Sequence, residues 1–364
     1  MRIAQVAPLY ESVPSKHYGG TERVVSWLTE ELVRRGHEVT LFASGDSRTS
    51  ARLVSVCRSS LRTDPQCKDP LAYHMLMLEQ VAKQADEFDI IHFHVDYLHF
   101  PISRRIRTPH VTTLHGRMDV PELVPMFQEF DGVPLISISI AQRQPLLFAN
   151  WVGNVYHGLP ADLLQFHPAA GKYLTFLGRL SPEKRPDRAI EIAKRCGIPL
   201  KIAAKIDRAD REYFEARVKP LLDCSLVEYV GEISDGEKSD FLGNAFASLF
   251  PIDWPEPFGI NMIEAMACGT PTIAFPCGSV PEIMSDGISG FIVKSVEEAI
   301  AAIDRVAQIS RKACRREFER RFTAPRMTCE YLALYEAFAQ PEPVFDQEFN
   351  LPGPKPGVTN TRVR

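Results

Sequence analysis

Two carboxylates, Glu256 and Glu264, frame the run Glu256-Pro-Phe-Gly-Ile-Asn-Met-Ile-Glu264, with seven residues between them. Pro257 suits the first turn of a helix and Gly269 its C-terminal end, so the run predicts a helix over 258–268. Glu256 then precedes the helix, and Glu264 sits about two turns inside it. Helical side chains lean toward the N-terminus, so Glu264 approaches a ligand lying there. The amides of Phe258, Gly259 and Ile260 are donors without intrahelical partners, and the helix dipole favours an anion beside them. Gly259 lets a phosphate come close. Anion recognition flanked by two hydroxyl-binding carboxylates suits a sugar nucleotide. The plainer alternative is an amphipathic helix with a surface glutamate at each place.

Further runs carry chemistry of the same kind. Gly178-Arg179-Leu-Ser-Pro-Glu-Lys184 supplies two cations that neutralise a diphosphate, with Arg179 able to bind it bidentately. The alternative there is a solvated loop. Gly19-Gly20-Thr21-Glu22 allows close backbone approach to a phosphate, or is simply a tight turn. No G-x-G-x-x-G run occurs, so a dinucleotide fingerprint is missing. His115-Gly116 puts an imidazole at a strand end, facing either a cleft or the core. Alternation places His92, His94 and Asp96 on one side of a strand. A metal reading needs a fourth ligand that the sequence does not name. These histidines are expected as cleft wall or satisfied core, and no metal site is expected.

What must position these groups is a strand–helix alternation that runs twice. Strands are expected at 3–7, 38–43, 90–95, 111–114, 135–139 and 154–157. Gly19-Gly20 opens a helix with Val24, Val25, Leu28 and Leu32 on one stripe, and Gly36 ends it. Segment 158–172, with two prolines and two glycines, reads as a linker. Strands resume at 173–178, 200–204, 226–230, 247–250, 272–275 and 291–293. Helices are expected at 186–196, 209–222, 234–244, 258–268, 296–308 and 310–321, and Pro325 starts another that reaches Ala339. Segment 44–69 lacks a pattern and reads as a loop or a helical excursion. Segment 341–364, with five prolines and two glycines, reads as a tail outside either core.

Such alternation gives parallel sheets covered on both faces. The expected fold class is α/β, with two doubly wound Rossmann-like domains, 1–160 and 161–323, and helix 325–339 packing back on the first. Ligands of such sheets bind beyond the carboxyl ends of the strands, which is where the runs above fall.

Composition narrows the class. The 364 residues exceed one ordinary domain of about 100–150. A content of 45% hydrophobic and 24% charged residues is that of a soluble globular chain. Lys and Arg number 42 against 46 Asp and Glu, so no basic field exists for nucleic acid. The N-terminal apolar run is short, and the uncharged run 265–281 is broken by Gly and Pro. Neither reads as a signal peptide or as a span of about 20 apolar residues. Eight scattered cysteines without a C-x-x-C pair read as reduced thiols in a cytoplasmic protein. Arg48, Arg52, Arg58, Arg62 and Lys68, with Arg104, Arg105 and Arg107, offer a basic rim for weak peripheral contact with the inner face of a membrane. The alternative is solvated charge balanced by Asp46, Asp64 and Asp69.

Three runs together, EPFGINMIEAMACGTPTIA, FLGRLSPEKRPDRAI and GGTERVVSWLTEELVRRGHEVTLFA, resemble the retaining glycosyltransferases of family 4, which have the two-domain GT-B fold. The resemblance covers about residues 1–340. It implies transfer of a hexose from a UDP- or GDP-sugar to the hydroxyl of a glycan, small-molecule or lipid acceptor. The anomeric configuration would be kept, and no metal or other cofactor would be needed. Gly20 would line the leaving diphosphate, with Gly19 shaping its turn, and His115 would sit near the sugar's 6-hydroxyl. Arg179 and Lys184 would bind the diphosphate. Glu256 would contact sugar hydroxyls, with the amides of Phe258, Gly259 and Ile260 around sugar and phosphate. Glu264 would bind the ribose. The family's favoured account is front-face attack, with the leaving phosphate helping to take the acceptor proton.

Asp-x-Asp, a metal–diphosphate anchor of the other large glycosyltransferase fold, occurs nowhere in the chain. Arg179, Lys184 and the helix amides would replace the metal's charge. Two departures from the family pattern stand out: Asn261 replaces a small apolar residue, and His157-Gly158-Leu159 replaces Asn-Gly-Val/Ile at a hinge. Two other classes are weighed beside this one. A GT-B nucleotide-sugar epimerase or hydrolase would need acid/base carboxylates in the first-domain cleft. A non-catalytic sugar-nucleotide-binding protein would be expected to lack Arg179, Lys184 or one glutamate, and all are present.

Overall fold

The segments Arg2–Val6 and Ile90–Phe93 are buried almost throughout, as central strands of a parallel sheet must be when helices cover both faces. The computed structural model describes residues 1–16 and 19–339, and the expected tail at 341–364 lies outside the described residues. Among the described residues, two parallel sheets form. The first contains β1 (Arg2–Val6), β2 (Glu38–Phe42), β3 (Arg52–Val54), β4 (Ile90–Phe93), β5 (His110–Thr113), β6 (Leu135–Ser137) and β7 (Trp151–Asn154). Their spatial order is β3-β2-β1-β4-β5-β6-β7. The second contains β8 (Leu174–Arg179), β9 (Leu200–Lys205), β10 (Val227–Gly231), β11 (Ala247–Phe250), β12 (Thr272–Ala274) and β13 (Gly290–Ile292), in the order β10-β9-β8-β11-β12-β13.

Strand order reverses between β1 and β4 in one sheet and between β8 and β11 in the other. Each reversal opens a crevice at the carboxyl ends of the strands. The helix Gly20–Arg34 buries Val24, Val25, Leu28 and Leu32 completely, which is the stripe the sequence shows. The helix Ala324–Ala339 returns to the first sheet and buries Tyr331 and Tyr335 there. Ile3, Leu28 and Tyr335 share one apolar cluster with Met262 and Ile263, so the core runs from one half into the other.

The linker is irregular but tied down, with Leu159 and Leu164 buried. Leu159 N–H donates to Phe322 O at 2.9 Å, and Ala324 N–H donates to Leu159 O at 2.7 Å. The outgoing and returning crossings of the chain therefore lie side by side.

Several expectations are corrected. The strand expected at 154–157 is β7, Trp151–Asn154, because Gly153 weakens the strand signal just where the strand runs. Segment 44–69 contains the edge strand β3, whose three residues are only partly buried and show no alternation. The helix expected at 209–222 is a chain of short turns, with a π turn at Phe214–Val218 and Pro220 removing a backbone donor. The helix expected at 258–268 begins at Ile260, because Gly259 before it takes φ +79°. All eight cysteines are unpaired. Among the described residues, no helix is long and apolar enough to cross a membrane.

Candidate active site

A cavity of about 490 Å³ lies where the carboxyl ends of the two sheets face each other. Gly19, Gly20, His115, Arg179, Lys184, Glu256, Phe258, Gly259, Ile260 and Glu264 all line it. Lys205, the last residue of β9, and Ile233, from the loop after β10, line it as well.

In the second half, β8 ends at Arg179, and the loop beyond β11 carries Trp254 and Glu256. The Lys184 ammonium pairs with the Glu256 carboxylate. Trp254 Nε1–H donates to Glu256 Oε2 at 3.0 Å, and Lys184 Nζ stands 5.0 Å from the Trp254 ring centre. Glu256 is held from behind by Gly278, where φ is +59° and an added Cβ would lie 2.3 Å from Glu256 N. Arg179 pairs with Glu183 at 2.8 Å and lies 3.1 Å from Asp210. Burial raises the Asp210 carboxyl, and Arg179 works against that rise.

The helix Ile260–Cys268 starts two residues later than expected. Phe258 and Gly259 precede the helix, so its first amides belong to Ile260 and Asn261. A Cβ at Gly259 would meet Met262 Cε at 2.6 Å, so this bend needs glycine for space as well as for φ. Phe258 is buried, with its ring 4.7 Å from that of His157. Asn261 Nδ2 donates to Leu177 O at 2.8 Å, tying the helix start to β8.

Glu264 lines the cavity, is only 2% exposed, and already has cationic partners. Arg23 Nη2 lies 2.7 Å and Lys238 Nζ 2.9 Å from Glu264 Oε1. Burial alone would raise this carboxyl, but the two cations hold it at about 2. Arg23 also meets Asp235 at 2.9 Å.

In the first half, Gly20 opens the first helix, and an added Cβ there would lie 3.4 Å from Ile260 Cδ1. The Gly-Gly turn thus faces the start of the helix Ile260–Cys268 across the cleft. Glu22, buried one turn in, has its carboxyl pushed up to about 7 by burial. His115 follows β5, and Gln142 clamps its loop by donating to Leu114 O and Gly116 O, each at 2.9 Å. Burial lowers His115 to about 3, so its ring is neutral at ordinary pH. His115 stacks on His157 with ring centres 5.2 Å apart.

His92 and His94 are satisfied core groups, bonded to Tyr335, Thr113, Gln5 and His115. Asp96 does not share their side of a strand: β4 ends at Phe93, and Asp96 takes φ +50°. Among the described residues, no group of three or more His, Cys, Asp or Glu side chains is placed to hold a metal ion. Sequence reasoning missed Arg23, Lys238, Gln142 and Trp254, and read His157 only as part of a hinge. Trp254 and Arg23 stand beside the motifs and had that signal, whereas Lys238 and Gln142 had none.

Other contacts also span the cleft. Arg117 meets Glu183 at 3.0 Å, and Glu282 accepts from the amides of Ile140 and Ala141 at 2.8 and 2.6 Å.

Comparison with known proteins gives this geometry a family. Residues 165–323 match the family Glycosyl transferases group 1, and residues 18–150 match Glycosyltransferase Family 4. The chain is 26% identical over 355 residues to an uncharacterized glycosyltransferase of Methanocaldococcus jannaschii, covering 84% of this chain and 89% of that protein. It is 23% identical over 371 residues to a phosphatidyl-myo-inositol mannosyltransferase of Mycobacterium leprae, covering 93% and 97%. The Anabaena protein HepE, solved in complex with UDP and glucose, is similar in fold, with a TM-score of 0.72 at 17% identity over 93% of this chain and 100% of that one. The two family matches fall one on each half, to either side of β7 and the start of the linker: the chain belongs to glycosyltransferase family 4, with the GT-B fold.

Proposed function

We propose that the protein moves a hexose from a UDP- or GDP-sugar to an acceptor hydroxyl, with retention of anomeric configuration and without a metal ion. The observation that carries this reading is the cavity wall on which Arg179, Lys184 and the start of the helix Ile260–Cys268 stand together, with Glu256 beside Lys184. Two cations and a helix N-terminus offer a leaving diphosphate the positive field that a metal would otherwise supply. The bond from the anomeric carbon to the phosphate oxygen breaks, and a bond to the acceptor oxygen forms on the same face. The acceptor proton passes to the departing phosphate, so no side-chain base is required. His115 and Glu256 meet sugar hydroxyls, Gly19 and Gly20 line the diphosphate, and Glu264, which keeps Arg23 and Lys238 on one oxygen and lines the cavity, meets the ribose.

A thermal-shift panel of UDP, GDP, ADP and dTDP with their sugars tests the donor, since a ligand of the folded state raises the melting temperature. One base is expected to stand out. NMR of the product, made in the presence of a chelator, then reads the anomer. An inverted anomer, or loss of turnover with the chelator, overturns the reading. Donor consumption without acceptor, with the sugar rearranged, favours an epimerase or hydrolase instead. Donor binding without turnover over a broad acceptor panel favours a non-catalytic sensor.

For the acceptor, we favour a lipid-borne hydroxyl at an anionic bilayer on the cytoplasmic side. Leu71, Tyr73, Met75 and Leu76 are exposed on the helix Pro70–Lys83, Leu76 by 55%. Arg58 and Lys68 are exposed in the segment before that helix. Within the basic rim, Arg52, Arg62 and Arg104 pair with Glu87, Glu11 and Glu129. Asp64 and Asp69 accept backbone amides within that rim. The unpaired cysteines support a reducing compartment. Co-sedimentation with vesicles containing anionic lipid, but not with neutral vesicles, is expected. Binding to neither points to a soluble glycan or small-molecule acceptor.

A further inference from the structure

His115 ends a buried hydrogen-bond chain that begins on the helix Ala324–Ala339. Gln5 Nε2 donates to the Tyr335 hydroxyl at 3.0 Å, and that hydroxyl lies 2.6 Å from His92 Nδ1. Gln5 Oε1 lies 2.8 Å from His94 Nε2. His94 Nδ1 lies 2.9 Å from His115 Nε2. Gln5, His92, His94 and Tyr335 are all at most 2% exposed. His115 lines the cavity, and its Nδ1 has no hydrogen-bond partner.

Each link joins one donor to one acceptor, so direction propagates along the chain. With the Gln5 amide nitrogen turned to Tyr335, its oxygen accepts, and His94 must carry its proton on Nε2. A neutral His94 then accepts at Nδ1, and His115 must donate from Nε2. That leaves a lone pair on His115 Nδ1. Burial keeps both rings neutral, with His94 held well below the usual imidazole range. The opposite direction would leave His115 with a buried, unpartnered N–H, which proteins tolerate less readily than an unpartnered acceptor.

We propose that Gln5, His94 and Tyr335 are positioning residues that fix His115 as the Nε2–H tautomer, so that its Nδ1 accepts a hydrogen bond from a hydroxyl of the donor sugar. The assignment of the hydroxyl rests on reading the cavity as a nucleotide-sugar site. The tautomer itself does not rest on that reading.

Histidine-labelled protein examined by ¹⁵N NMR distinguishes the two tautomers, and His115→Ala identifies which signals belong to His115. The wild type is expected to show Nε2–H at His115. Tyr335→Phe frees the Gln5 amide, so a mixture of tautomers is expected. With one hydrogen bond lost from the chain, kcat should fall by roughly fivefold with donor KM little changed. An Nδ1–H signal in the wild type overturns the proposal, as does a Tyr335→Phe protein with unchanged tautomer and kcat. The spectrum needs no substrate. Absence of nucleotide-sugar turnover would therefore overturn the functional reading, while the tautomer stands or falls on the spectrum.

Discussion

Arg23 Nη2 lies 2.7 Å from Glu264 Oε1, and the two residues come from opposite halves of the molecule. Their side chains are 7% and 3% exposed, so neither charge is served by water. Lys238 and Asp235 complete the cluster. Removing Arg23 leaves the buried Glu264 with Lys238 as its remaining cation, which puts the loss at the low end for breaking a buried pair. Arg23→Met is therefore expected to cost about 3 kcal/mol in stability, read from denaturant melts. It should also enlarge the radius of gyration in solution scattering, because a tie across the cleft is gone. An unchanged radius would assign closure to Arg117–Glu183 and to the Glu282 contacts instead.

Glu22 sets up a pH dependence. Burial lifts its carboxyl from the ordinary 4.5 to about 7, so the folded state holds the proton more tightly than the unfolded one. Stability from this group is full below pH 4.5 and is lost as pH rises through about 7. Wild type is expected to lose up to ~3 kcal/mol relative to Glu22→Gln across that window, with a constant gap above it. Parallel urea-melt stabilities for the two proteins over the same range would contradict this.

Lys184→Ala separates catalysis from folding. The lysine touches Glu256 and faces Trp254, and it has no part in the apolar core. Turnover is expected to fall by ~10²–10³-fold, as when a donor to a developing oxyanion is removed. The melting temperature should move by only a few degrees. Undiminished turnover removes Lys184 from the proposed site.

Gly278→Ala tests whether Glu256 is held from behind. The new Cβ would fall 2.3 Å from Glu256 N and 2.4 Å from Glu256 O, and φ is +59°. Backbone must shift, carrying the carboxylate with it, and kcat is expected to fall roughly tenfold or more. Gly287→Ala is the control: φ is +74°, yet nothing lies within 4 Å of its Cβ. It should lose about 1 kcal/mol of stability and keep its kcat.

Most of the framework was legible because strand–helix alternation is a local, periodic signal. The proposed site was legible for the same reason: its motifs sit at strand ends, and topology brings those ends to one cavity. β3 escaped because three half-exposed residues at a sheet edge carry no alternation. β7 was displaced because a glycine interrupts it. Glu264 was expected to approach a ligand, and the cations that hold it, Arg23 and Lys238, are distant in sequence. The Gln142 clamp and the chain from Tyr335 to His115 are likewise pairings of remote residues, which no local pattern encodes.

Leu159 bonded to both Phe322 and Ala324 has a mechanical meaning. Both bonds fall on one residue, so the outgoing and returning crossings are stitched at a single point and cannot slide past each other there without breaking them.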